Sequence, residues 1–98
     1  MNAAHADPLD LLRDAIEAER ARSGSIKAAI GHVSVAFGLK PRRVEGVWWN
    51  EPIRLDWQEA DRIRAVSVQR IARERAEWAA RDAKLTATLE ALGKAVHR

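Results

Sequence analysis

Apolar residues recur at helical rather than alternating spacing along most of the chain, and the residues that interrupt them divide it into four helices. Leu9, Leu12 and Ile16 share one face, widened by Leu11 and Ala15. Asp7-Pro8 starts this first helix: Asp can cap free amide groups, Pro suits the first helical position, and Asp10 and Asp14 lie near the positive end of the helix dipole. Ser23-Gly24 ends it, and Ser25 can cap the next. The second helix carries Ile26, Ala29, Ile30, Val33 and Phe37 on one side, with Gly31 and Ser34 small enough for close approach, and Gly38 stops it. Pro41 opens a third helix bearing Arg42, Arg43, Val44, Glu45, Val47 and Trp48, and Asn50-Glu51-Pro52 breaks the chain again.

From Asp56, an N-cap residue with Glu59 three positions on, a helical pattern continues until Gly93. Trp57 to Leu92 would span about 54 Å as a straight helix, more than the short helices upstream need. Ile71, Trp78, Leu85 and Leu92 recur at steps of seven, and four residues beyond each lie Arg75, Asp82, Leu89 and Val96. This is a partial heptad seam with a charged centre, flanked by Ala72, Ala76, Ala79, Ala80 and Ala83. The expected fold is all-α: a flexible N-terminus over residues 1–7, a small helical domain over 8–55, and a long C-terminal helix over 56–98 that serves oligomerisation through Ile71, Trp78, Leu85, Leu89 and Leu92.

The segment IGHVSVAFGLKPRRVEGVWW, residues 30–49, resembles the helix-turn-helix of bacterial and phage repressors, over about a fifth of the chain. That family places a small residue in the first helix and a glycine at the turn four residues later, here Ser34 and Gly38. Its five apolar locking positions correspond to Val33, Phe37, Leu39, Val44 and Val47. Ser34 stands where alanine is commonest, and Gly46 within the second helix of the motif costs about 1 kcal/mol of helix propensity relative to alanine. The resemblance implies binding of double-stranded DNA, with Lys40, Arg42, Arg43, Glu45, Gly46 and Trp49 facing outward, and the short chain with its C-terminal seam adds the expectation of a homodimer. An arginine fork matches guanine O6 and N7, Glu45 can accept from a cytosine amino group, and Lys40 and Arg54 suit phosphate. Gly46 would let the backbone approach DNA closely. The rival reading of these residues is an ordinary helical hairpin with a solvated Arg-Arg pair.

Adjacent Trp48 and Trp49 point about 100° apart on a helix, so one at most lies squarely in the core. Trp48 is the expected core member, and Trp49 is expected to cap the core beside Trp57. The interleaving of Arg62, Arg64, Arg70, Arg73 and Arg75 with Asp61 and Glu74 reads as a solvated surface.

Composition narrows the functional classes. The chain has 98 residues, 47% hydrophobic and 32% charged, with net charge +3, which fits one domain with an appended helix. The excess is densest from Gly38 to Arg54, where four basic residues oppose two acidic ones. The absence of cysteine removes disulfides, thiolate nucleophiles and cysteine-ligated zinc, and suits a reducing cytoplasm. No apolar run approaches the roughly 20 residues needed to span a bilayer, and the N-terminus lacks the pattern of a signal peptide. His5, His32 and His97 are scattered, and no HExxH motif, P-loop or nucleotide-binding glycine fingerprint occurs. No catalytic site, metal, cofactor or small-molecule substrate is therefore expected. The leading expectation is a small cytoplasmic transcriptional regulator, associated with the nucleoid when bound to DNA. A DNA-packaging subunit resembling the small subunit of phage terminases, and a helical adaptor or antitoxin-like module, are the alternatives.

Overall fold

The computed structural model describes residues 6–96. It is all-α, with helices α1 (Pro8–Ser23), α2 (Ile26–Phe37), α3 (Pro41–Trp48) and α4 (Trp57–Val96). Of the stretch 1–7 expected to be flexible, residues 1–5 lie outside the described residues, Ala6 packs on the core, and Asp7 caps α1. Residues through Val68 form one compact unit and those from Gln69 a second. The first compact unit thus takes in the opening turns of α4, thirteen residues past the boundary expected at 55.

Local chemistry sets the helix ends. The Asp7 carboxylate accepts from the Leu9 amide at 2.9 Å and the Ser25 hydroxyl from the Ala28 amide at 3.3 Å, each satisfying an otherwise orphaned donor. Asp56 and Glu59 close a reciprocal capping box on α4: the Glu59 amide donates to Asp56 at 2.7 Å and the Asp56 amide to Glu59 at 3.1 Å. Gly24 and Gly38 end α1 and α2 in the left-handed conformation, with φ of 73° and 64°. Gly93 does not adopt it, so α4 passes through the expected stop and continues to Val96.

The core of the first unit joins Leu11, Leu12, Ala15 and Ile16 of α1 to Ala29, Ile30, Val33 and Phe37 of α2. Leu39 from the turn, Val44 and Val47 of α3, and Ile63 of α4 complete it. Each large side chain so buried contributes roughly 1.5–3 kcal/mol relative to exposure. In the second unit, Gln69 onward, Trp78, Leu85, Leu89, Leu92 and Val96 are all more than half exposed, so its described residues form no apolar core.

Two glycines in or beside α2 give opposite expectations. Gly38 needs its positive φ, whereas Gly31 lies mid-helix with nothing within 4 Å of an added Cβ. Gly38→Ala should destabilise the fold by about 1–2 kcal/mol, the usual cost of a side chain in the left-handed region. Gly31→Ala should stabilise it by about 0.5–1 kcal/mol through backbone entropy and helix propensity. Urea unfolding of the two variants measures both signs.

Candidate nucleic-acid interface

At eight residues α3 is too short to be stable alone and depends on what holds it. At its N-terminal end the buried Leu39 anchors the chain. The Leu39 amide donates to the Ser34 carbonyl at 3.0 Å, and the Ser34 hydroxyl donates back to the Leu39 carbonyl. The buried Ser34 therefore adds a cross-turn hydrogen bond within the packing. Arg62 of α4 reaches the same turn and donates to the Gly38 carbonyl at 2.9 Å. At the other end, Arg13 of α1 donates to the Val47 carbonyl at 3.3 Å and to the Asn50 side chain at 3.1 Å. Sequence alone gave no signal for this last contact, whose partners lie more than thirty residues apart.

With Val44 and Val47 inward, the opposite face of α3 and its flanks present Lys40, Pro41, Arg42, Glu45 and Trp49 to solvent. Neither Lys40 nor Arg42 has an ion-pair partner among the described residues. Beside this face Ile26, Lys27 and Ile30 of α2 meet Pro41, Glu45 and Trp49 in an open groove of about 510 Å³. Lys27 adds a third cation that the sequence reading passed over, although it lies on the solvent side of α2 by helical spacing.

Two residues expected on the outward face stand elsewhere. Arg43 turns toward α4, where its Nε and Nη2 donate to the two Glu59 carboxylate oxygens at 2.7 and 2.8 Å, and Nη2 also donates to the Arg54 carbonyl at 3.0 Å. Its Nε and Nη2 are thus taken by protein acceptors and are not presented on the outward face. Gly46 is buried rather than open to a ligand: a Cβ there would lie 2.8 Å from Ile53 Cδ1 and 3.0 Å from a Glu51 carboxylate oxygen. The absent side chain makes room for the segment after α3, whose Glu51 amide donates to the Gly46 carbonyl at 2.9 Å. Trp49 is 61% exposed and Trp57 72%, so neither caps the core. Trp48 does pack against the core, half-buried, with the Arg20 guanidinium 5.8 Å from its ring centroid.

The Arg54 side chain is exposed near Arg43 and Glu59. In the second unit Ile71, Trp78, Leu85, Leu89 and Leu92 are exposed along α4, Ile71 least so. His32 faces Glu19 at 3.3 Å between α2 and α1, while His5 and His97 lie outside the described residues. Among the described residues no group of three or more His, Cys, Asp or Glu side chains could hold a metal ion, and no helix is long and apolar enough to cross a membrane. No protein-family model, curated protein or solved structure matches the chain.

The contrast between neighbouring arginines is measurable. Arg43→Ala strips a part-buried carboxylate of its bidentate partner and should cost about 1–2 kcal/mol of stability, with Arg43→Lys recovering only part. Arg42→Ala touches no such feature and should stay within about 0.5 kcal/mol of the parent. Thermal unfolding of the three variants decides it.

Proposed function

We propose that the protein binds double-stranded DNA as a helix-turn-helix, presenting the outer face of α3 to the major groove and acting as a small transcriptional regulator. The carrying observation is that Arg42 is exposed on that face and, like the neighbouring Lys40, has no ion-pair partner among the described residues, while Arg43 is tied to Glu59. Two exposed cations on a buttressed helix fit duplex DNA better than a solvated hairpin. In this reading Arg42 addresses guanine O6 and N7, Glu45 accepts from a cytosine amino group, and Lys40, Lys27 and Arg54 meet phosphate. Trp49 packs against the sugar-phosphate edge. The protein acts in the cytoplasm, on the nucleoid when bound, without catalysis, and as a pair of copies joined through α4.

Pairing would give each complex two α3 helices, so the expected operator is a pseudo-palindrome with half-sites about one helical turn apart. The long exposed seam on α4 also fits a larger assembly of the DNA-packaging kind. A ring of many subunits would favour that role, and a dimer favours regulation.

Binding to the DNA upstream of its own gene, against scrambled competitor at about 0.15 M salt, tests the reading while exposed charges are screened beyond ~8 Å. Footprinted paired half-sites are expected. Arg42→Ala should reduce discrimination by about 1–3 kcal/mol at one base pair per half-site. Lys40→Ala should weaken binding to all sequences and lower the salt slope by about one. Undiminished discrimination by Arg42→Ala would remove Arg42 from base reading, and no preference over competitor would overturn the regulator reading.

A further inference from the structure

We propose that residues 69–88 pair with the same segment of a second copy and that the two helices run antiparallel. The inference deepens the self-association in the proposed function and needs no DNA. The seam formed by Ile71, Trp78, Leu85 and Leu92, alternating with Arg75, Asp82, Leu89 and Val96, is exposed along its length. Arg75 and Asp82 occupy its centre. Neither has an ion-pair partner among the described residues, and a separation of seven residues, about 10.5 Å along the helix, keeps them from pairing with each other.

Those two residues decide the orientation. A parallel, in-register pair would set Arg75 on Arg75 and Asp82 on Asp82, burying two like-charge contacts in an apolar interface. Reversing one helix sets each Arg75 against the Asp82 of the second copy, and the contact is made twice by symmetry. One cation and one anion seven residues apart make the segment its own complement when inverted, a fit that a helix of uniform charge does not offer.

The same register supports the rest of the seam. Ile71 falls opposite Thr86 of the second copy and Leu85 opposite Ala72, and Ala79 lies beside the symmetry axis. Ala72, Ala79 and Thr86 line the adjoining flank with side chains small enough for close approach. On the other flank Arg81, which would meet its own copy near the axis, is drawn over the Trp78 ring, 4.8 Å from the centroid.

Sedimentation of the 98-residue chain without DNA tests this. A dimer is expected at micromolar concentration. Arg75→Glu and Asp82→Arg should each weaken it by about tenfold or more, and the double exchange should restore it to within about threefold. Both residues are exposed, so helix content should not change. Because the chain has no cysteine, Ala72→Cys and Thr86→Cys can be made singly and mixed under oxidation. A covalent dimer from the mixture, and from neither variant alone, is the antiparallel result. A monomer at about 100 μM, far weaker than specific interfaces ordinarily bind, would overturn the proposal. So would charge exchanges without rescue, or linkage of each cysteine variant to itself. Loss of DNA binding with the rescue pattern intact would count only against the role of α3.

Discussion

A sharp turn between two helices strands backbone groups that water must otherwise satisfy, and in this protein the groups around Gly38 and Leu39 are met from several directions. Ser34 engages Leu39 through both its carbonyl and its hydroxyl, the Gly38 amide returns to α2, and Arg62 arrives from α4 to take the Gly38 carbonyl. Leu39 is then fixed in the core, and the start of α3 follows from its position. The angle between α2 and α3, the burial of Val44 and Val47, and the exposure of Arg42 all depend on this turn.

Arginine does two kinds of work in the first unit. Arg13, Arg43 and Arg62 each bring a guanidinium to a backbone carbonyl, at Val47, Arg54 and Gly38 respectively. Two of those carbonyls lie at the C-terminal ends of short helices, where the dipole leaves negative charge. The planar fork lets one side chain satisfy a carbonyl and a second acceptor together, as Arg13 does with Asn50 and Arg43 with Glu59. Glu59 is shared further, since the carboxylate that pairs with Arg43 also caps α4. Basic residues that looked alike in the sequence are thus divided between holding the fold and facing solvent.

What sequence made legible was whatever is encoded within a few residues. Asp7, Ser25 and Asp56 cap their helices as their positions imply, and the apolar stripe of α2 faces the core. Contacts that depend on distant chain were hidden. Nothing near Gly46 announces that Ile53 will lie over it, and only the position of α4 tells Arg43 from Arg42. Trp49 was expected over the core, yet its indole stands largely exposed while Ile53 and Leu55 pack against the core. Gly93 shows the limit of reading glycine as punctuation, because its backbone stays helical where Gly24 and Gly38 turn left-handed.

The grip of Arg13 on the far end of α3 has a consequence for binding of any kind at its outer face. A short helix hinged only at Leu39 would have to surrender motional freedom on meeting a ligand, and that ordering cost would subtract from affinity. Fastened at both ends, α3 has already lost that freedom in the unbound protein. What remains to be immobilised is mainly the rotamer entropy of Lys40 and Arg42, on the order of 2 kcal/mol per side chain if fully lost. The surface is preorganised in its backbone and adaptable only at its tips, so a ligand that finds those tips misplaced gains little from the helix beneath them.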